Sequence, residues 1–386
     1  MNFELTEEQR LLRDSVTRFV QDNYSLEQRS ALARSELGFS QQHWQSMAEL
    51  GWLMLPFAEA DDGLGGNQID TMTLFEQFGQ GLVTEPYLAS IVLGGGALRR
   101  GAADALRKSL FPGVMDGSIQ LALGYAEEQA RFDLDDVTTS ARPEGDGFLL
   151  NGGKCMVLNA ASADYIVVSA RTSGGQIDSK GISLFLIDST SPGVERENYP
   201  TVDGYRASEV MLTDVQVPAD HLIGPLDKGY DILRSVINDG ILALSAEAVG
   251  AMEILYKDTV AYTQERVQFD HPLSDFQVLQ HRMVDMFMEY EQTKSLLYRA
   301  TIETAQAQNT SGEAADSLLH DSAQQSVHAL KHLVGTAGSF IGENAVQLHG
   351  GMGMTEELRI GHFFTRLIVI DLLFGDADYH LEKFAA

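Results

Sequence analysis

The chain has 386 residues, and its content of 44% hydrophobic and 21% charged residues is typical of a folded globular protein. Lys and Arg total 27 while Asp and Glu total 55, so the formal net charge is −28. A charge this negative argues against nucleic acid or a membrane as a partner, because both present anionic phosphate. The single cysteine, Cys155, excludes an intramolecular disulfide. The sequence has no recognisable signal-peptide h-region and no apolar run of the roughly 20 residues needed to span a bilayer, and we therefore expect a cytoplasmic protein.

The hydrophobic pattern divides the chain into three blocks. Residues 1–117 have helical periodicity, and Thr6 and Gln9 form a capping box at the first helix. Residues 118–227 contain short β-rich runs separated by Gly- and Pro-containing turns, and residues 228–386 contain long helices. We therefore predict three domains with these limits: an N-terminal helical domain, a central antiparallel β-barrel or sandwich, and a C-terminal four-helix bundle. The fold class is α+β and mostly α.

Polar groups suited to a phosphate-containing ligand lie near the ends of the C-terminal helices. Arg266 follows one predicted helix, and a guanidinium binds phosphate or carboxylate in a bidentate manner. The amides of Gln277 and Gln347 can read an adenine or ribose edge, and Gly350-Gly351 lets a ligand approach the backbone. An interdomain salt bridge plus a helix cap explains the same residues equally well. The ten histidines form no His-Glu-x-x-His pair, so no metal site is predicted.

The order and spacing of these elements resemble the acyl-CoA dehydrogenase family over the whole chain. The N-terminal block carries Leu50-Gly51-Trp52 and Gly63-Leu64-Gly65-Gly66, and the central block carries Asn151-Gly152-Gly153-Lys154 as a hairpin. The C-terminal block carries the Arg-x-x-Phe and Gln-x-x-Gly-Gly patterns that begin at Arg266 and Gln347. The resemblance implies FAD as the cofactor and α,β-dehydrogenation of an acyl-CoA thioester as the reaction.

The resemblance also implies which residues hold the cofactor and which partners the chain has. The FAD of a neighbouring subunit is expected to contact Arg266, Phe269, Leu273 and Gln277, and its ADP end to contact Gln347, Gly350 and Gly351. Because one chain then holds only part of the cofactor site, we expect a homo- or hetero-oligomer, such as a dimer of dimers. An acyl-CoA substrate and an electron-transfer flavoprotein as electron acceptor complete the expected partners.

The catalytic base is where the sequence departs from the family. The usual base is a Glu near the C-terminus, and Gly375 matches its position, with Asp376 next to it. The alternative base position, on the first bundle helix, is Gly240, next to Asp239. Asp376 is the candidate base, although an offset of one residue turns a side chain to another face. The two glycines remove bulk, which would suit a branched or polycyclic acyl group such as a steroid side chain.

A second departure concerns the part of the site that faces the flavin ring. The family loop Thr-Glu-Pro-x-Ala-Gly-Ser-Asp is replaced by Tyr125 to Phe132. Met156 and Leu158 stand where the family has a Trp and a Thr beside the ring, and Asp270 replaces a Gly after Phe269. We therefore expect an intact site for the ADP part of FAD and an altered site for its ring.

Three functions fit this combination. The first, which we favour, is the subunit of a heteromeric acyl-CoA dehydrogenase that lacks the usual Glu base. The second is an active homo-oligomeric dehydrogenase in which Asp376 or Asp239 acts as a displaced base. The third is a non-catalytic module that binds acyl-CoA or a protein and has kept the fold without the flavin.

Overall fold

The helices and strands follow the predicted order of helical, β-rich and helical blocks. The computed structural model describes residues 4–309 and 315–386. The helices are α1 (Glu7–Asn23), α2 (Leu26–Arg34), α3 (Gln41–Glu49), α4 (Gln68–Gly81), α5 (Gly95–Gly101), α6 (Asp104–Met115), α7 (Gly229–Glu265), α8 (Gln277–Asn309), α9 (Ala315–His349), α10 (Arg359–Leu372) and α11 (Ala377–Ala385). The strands are β1 (Leu121–Gly124), β2 (Ser140–Glu144), β3 (Gly147–Leu158), β4 (Tyr165–Arg171), β5 (Ile182–Asp188), β6 (Val194–Pro200), β7 (Arg206–Pro218), β8 (Leu222–Ile223), β9 (Val267–Gln268) and β10 (His271–Pro272). The predicted fold class is confirmed.

The chain divides into two compact units, each of which combines distant segments. The first takes the described residues of Met1–Ala31, Asn67–Val83 and Ile241–Ala386, and the second takes Leu32–Gly66 and Thr84–Gly240. The domain limits predicted at residues 117 and 227 stay predictions.

In the first unit, α4 and α7 approach each other closely because each presents a glycine. A Cβ on Gly79 would lie 2.0 Å from the carbonyl oxygen of Glu247, and one on Gly250 would lie 2.0 Å from that of Glu76. A larger residue at either position would force the helices apart. Glu247 also forms a buried bidentate ion pair with Arg366 of α10, with N···O distances of 2.6 and 2.8 Å.

The second unit contains an eight-stranded sheet with the order β6-β7-β3-β2-β4-β5-β8, in which β1 lies beside β4. Most neighbouring strands are antiparallel, as predicted, but β1 runs parallel to β4 and pairs Leu121 with Tyr165. All four residues of β1 are buried. A strand that is buried on both faces is typical of parallel pairing. The sheet is mixed also because β2 runs parallel to β4, with Ser140 paired to Arg171.

The Asn151–Lys154 segment, predicted as a hairpin, instead lies inside the long strand β3. The turn between β2 and β3 falls earlier, between the paired residues Glu144 and Gly147. Gly152 has a φ of +148°, and a Cβ there would lie 2.6 Å from the Cα of Thr139. Gly152 therefore marks a close approach between the backbones of two segments rather than a turn.

A buried ion pair anchors the loop that replaces the family sequence at Tyr125 to Phe132. Nζ of Lys154 lies 2.6 Å from Oε1 of Glu127 and 3.0 Å from the Ser169 hydroxyl. Glu127 also accepts the Thr138 N–H at 2.8 Å. Burial opposes the charge on Glu127, but Lys154 and Thr138 outweigh it and hold the pKa of this carboxyl well below its usual range. The altered loop therefore has a charged structural anchor.

Glu76 of α4 is a buried carboxylate in a different environment. Its two oxygens both lie 3.3 Å from the Tyr298 hydroxyl of α8. Burial raises the pKa of Glu76 to about 7, although Lys294 and Tyr298 oppose the shift. Glu76 therefore keeps its proton in the folded protein at pH values where it would lose it in the unfolded chain.

We predict that Glu76→Gln stabilises the protein at pH 8 and changes its stability little at pH 4.5. The raised pKa adds stability below the ordinary value of 4.5, and this stability is lost as the pH rises to about 7. Gln has no charge to bury, so the variant avoids a loss of up to about 3 kcal/mol at pH 8. Thermal unfolding at both pH values measures the effect, with the exposed Glu49→Gln as control. A variant less stable than the wild type at pH 8 would contradict the prediction.

Candidate cofactor site and base positions

A two-residue hairpin follows α7 and presents part of the predicted cofactor site. β9 and β10 pair antiparallel, and the turn residues Phe269 and Asp270 have φ values of +56° and +64°. Positive φ at both turn positions matches a type I′ turn, in which Asp is well tolerated. The N–H of Leu273 donates to the carbonyl of Arg266 at 2.9 Å and closes the hairpin. Phe269 is 85% exposed, so the turn places a strained aromatic residue on the surface of its unit.

The polar side chains predicted to contact FAD have no partner among the residues that the structure describes. Arg266, Gln277 and Gln347 are exposed, and none of the described groups forms a hydrogen bond or ion pair with their side chains. A Cβ on Gly350, whose φ is +60°, or on Gly351 would meet nothing within 4 Å. The predicted alternative, a salt bridge at Arg266, is therefore absent from the described part of the chain. An unpaired guanidinium beside open backbone fits a pyrophosphate.

The structure brings the two groups of predicted cofactor residues together in the first unit. The ring of Tyr262, one turn before Arg266 on α7, stacks on the ring of His349 with centroids 4.2 Å apart. His349 is the last residue of α9 and lies between Gln347 and Gly350. The hairpin and the glycine segment are therefore neighbours. Leu273 is half-buried, and its carbonyl accepts the N–H of Phe276 just before α8. The roles of the individual residues toward FAD stay predictions.

The position predicted to match the family base is closed by its surroundings. Gly375 is buried with a φ of +112°, and a Cβ there would lie 2.6 Å from Cδ1 of Tyr379 and 2.7 Å from Nε2 of His380. The expectation that this glycine leaves a roomier pocket is therefore wrong, because two rings fill the space. Asp376 is the N-cap of α11, and its Oδ1 accepts the N–H of Tyr379 at 2.8 Å. Its proposed role as a base stays a prediction.

The residue predicted to match the alternative base position, Gly240, lies in the second unit. Gly240 is buried within α7, and the neighbouring Asp239 is only 8% exposed. Nη2 of Arg100 donates to Oδ2 of Asp239 at 2.5 Å. The carboxylate next to the alternative base position is therefore already engaged in an ion pair.

The residues that replace the ring contacts of the family lie on β3. Met156 is at a β-bulge between Lys154 and Val157, has a φ of +50° and is 39% exposed. Oε1 of Glu209 accepts the Tyr199 hydroxyl at 2.6 Å and lies 3.4 Å from the N–H of Met156. Bulges redirect side chains and are frequent beside functional sites.

Sequence reasoning did not identify the buried polar residues that surround the Gly375 turn. Lys331 of α9 donates to the carbonyls of Asp371 and Gly375 at 2.7 and 2.6 Å. His380 of α11 contacts the Phe374 carbonyl at 3.0 Å, and His328 of α9 contacts His380 at 2.8 Å. The one available signal was the appearance of several basic residues on one helix, among them His328 and Lys331.

Three family models match in succession: the acyl-CoA dehydrogenase N-terminal domain at residues 6–118, the middle domain at 122–215 and the C-terminal domain at 227–386. The chain belongs to the acyl-CoA dehydrogenase family, whose members are FAD-dependent oxidoreductases. Solved structures of the same fold contain FAD, and the predicted cofactor is confirmed at the level of the family.

Relatives match over nearly the whole chain. The Bacillus subtilis protein YngJ, a probable acyl-CoA dehydrogenase, is 29% identical over 362 residues, which cover 92% of this chain and 91% of the relative. The caffeyl-CoA reductase-Etf complex subunit CarC of Acetobacterium woodii is 27% identical, with 84% of each chain covered. Among solved structures, a variant of the Tcur3481-Tcur3483 steroid ACAD aligns with a TM-score of 0.85 and 25% identity, and covers 98% of this chain and 97% of that chain. Within the described ranges, no helix is long and apolar enough to cross a membrane.

We predict that Arg266→Ala weakens FAD retention by roughly 10- to 100-fold, because a phosphate loses a charge-assisted hydrogen bond. The flavin-to-protein ratio after purification and dialysis measures the loss. Arg142→Ala is the matched control, since Arg142 is also an exposed arginine and pairs only with Glu144 among the described residues. Full flavin occupancy in the Arg266 variant would show that this guanidinium does not hold the cofactor.

Proposed function

We propose that the chain is the subunit of a heteromeric acyl-CoA dehydrogenase that lacks the usual Glu base. One observation carries the proposal: the carboxylate next to each base position is engaged elsewhere. Asp376 caps α11 through the N–H of Tyr379, and Asp239 is paired with Arg100. Gly375 and Gly240 themselves have no side chain to accept a proton.

The reaction of the family defines what this subunit lacks and what it supplies. A carboxylate removes the α-proton of the thioester, and FAD, when bound, accepts the β-hydrogen as a hydride. A base must lie within about 3 Å of its proton or reach it through one water, and adjacency in sequence does not ensure that. This chain supplies Arg266, Gln277 and Gln347, which are exposed and unpaired in the described part of the chain.

The exposed apolar surface of the same unit supports a role in an oligomer. Phe269 extends from the hairpin, and Val278, Val284 and Phe287 of α8 are also exposed large apolar residues. Exposed aromatic and apolar side chains on a unit that also presents unpaired polar groups are frequent at protein interfaces. The similarity to a subunit of a reductase-Etf complex supports an electron-transfer flavoprotein as the electron acceptor.

A second candidate is an active homo-oligomer in which Asp376 is the base. It is favoured by the fact that the N-cap bond uses only Oδ1, so that Oδ2 of the half-buried Asp376 is free among the described groups. The Asp side chain is one methylene shorter than Glu, which weakens the alignment that proton abstraction needs.

The test compares the isolated, FAD-loaded protein with the protein coexpressed with a Glu-bearing paralogue. Acyl-CoA-dependent reduction of an electron-transfer dye is the measurement. We predict turnover below about 1% of the coexpressed complex for the isolated chain, since a general base typically contributes 10²- to 10⁴-fold. A colourless protein that takes up no flavin would favour a non-catalytic module.

Asp376→Asn is the informative variant, because Asn caps a helix as well as Asp but accepts no proton. We expect the complex to keep its activity in this variant. Robust turnover by the isolated wild-type chain that disappears in Asp376→Asn would overturn the proposal and make Asp376 the base.

A further inference from the structure

The turn between α10 and α11 has an unusual backbone for a buried segment. Phe374 and Gly375 have φ values of +62° and +112°, so two consecutive residues have positive φ. For Phe374 this conformation is strained, because its Cβ crowds the backbone. Both residues are buried. Such a conformation persists only where the surroundings enforce it.

Two donors from outside the turn hold its carbonyls. Lys331 is fully buried, and its Nζ donates to the carbonyls of Asp371 and Gly375. Burial lowers the pKa of Lys331 to about 8, but ammonium and amine forms each have the two hydrogens that these bonds need. His380 holds the third carbonyl, that of Phe374, at 3.0 Å.

The hydrogen bonds of His380 have only one consistent direction. A carbonyl accepts, so Nε2 of His380 carries the hydrogen and its Nδ1 accepts from Nδ1 of His328. Nε2 of His328 then accepts from the amide nitrogen of Gln324 at 3.0 Å. Burial lowers the pKa of His328 to about 4 and that of His380 to about 3, in agreement with two neutral rings. The ring of His380 is thereby fixed on both of its nitrogens.

The fixed ring of His380 lies where a side chain at position 375 would begin. A Cβ on Gly375 would be 2.7 Å from Nε2 and 3.0 Å from Cδ2 of His380. Tyr379 is also close, at 2.6 Å, but it is partly exposed and its ring can move outward. His380 is 1% exposed and has no such freedom.

We propose that His380 is a positioning residue for this turn and that it reserves position 375 for glycine. The proposal rests on the proposed function in one respect, namely that position 375 corresponds to the family base. In this chain the base is therefore not simply missing: an imidazole that holds the turn occupies its place. A Glu at position 375 would require a change at His380 as well.

The test is a double-mutant cycle read by thermal unfolding of the full chain. We expect Gly375→Ala to lower the unfolding midpoint by roughly 5–10 °C in the wild type, from the ring contact and the positive φ together. In the His380→Gly background, the same substitution should cost at most half as much, because only the backbone strain and the contact with the partly exposed ring of Tyr379 remain. His328→Ala is the matched control background, since it removes a hydrogen bond but leaves the ring of His380 in place. In that background, the drop in the unfolding midpoint caused by Gly375→Ala should differ from the drop in the wild type by no more than about a third. Additive effects in the His380→Gly background would overturn the proposal.

A spectroscopic measurement covers the case in which a variant fails to fold. In the wild-type protein with ¹⁵N-labelled histidine, we expect His380 as the Nε2–H tautomer and His328 as the Nδ1–H tautomer, both unchanged between pH 5.5 and 8. The groups that face the pair are Lys331, Lys383, Asp376 and Tyr379. A His380 that titrates in this range, or that carries its hydrogen on Nδ1, would overturn the proposal. Neither the unfolding measurement nor the histidine spectrum depends on turnover. Both results would therefore stay valid if the proposed heteromeric function failed its own test.

Discussion

The buried ion pair between Glu247 and Arg366 joins the two helices that lead to the candidate site. From Glu247, α7 continues to the Arg266 hairpin, and from Arg366, α10 continues to the Gly375 turn. Loss of either partner would leave an uncompensated charge in the interior, at a cost of about 3–5 kcal/mol. The glycine contacts between α4 and α7 fix the same stretch of α7. The positions of the hairpin and of the turn in the first unit therefore depend on this pair.

Carboxylates in this protein behave differently because their nearest donors differ. Glu127 faces a buried ammonium and stays charged, whereas Glu76 faces a hydroxyl and keeps its proton to near neutral pH. Asp376 accepts a backbone N–H of its own helix, and Asp239 accepts from a guanidinium. What each carboxylate can do is set by the hydrogen-bond donor that faces it. Its position next to a family motif in the sequence does not determine this.

Features that depend on local sequence were predictable, and contacts between distant segments were not. The capping box at Thr6 and Gln9 forms as expected, with bonds of 3.2 and 3.0 Å, because it needs only residues three apart. Arg266, Gln277 and Gln347 were named from their places near helix ends, and all three are exposed in the structure. Lys331 and His380 were missed because only the packing of α9 against α11 brings them to one turn. The placement of Asn151 in a hairpin failed for a similar reason, since its neighbour Gly152 serves a contact with Thr139.

The arrangement at Gly375 also constrains the history of the gene. If an ancestor carried a carboxylate at this position, its loss and the arrival of His380 are linked substitutions, and the second one makes the first difficult to reverse. A single codon change that restores the carboxylate now meets a ring that supports the backbone, so selection for stability acts against it. Under the proposed function, return to a self-sufficient subunit would have to pass through an intermediate with an unsupported turn. Packing at this turn would then preserve dependence on a partner even in the absence of selection for the partnership itself.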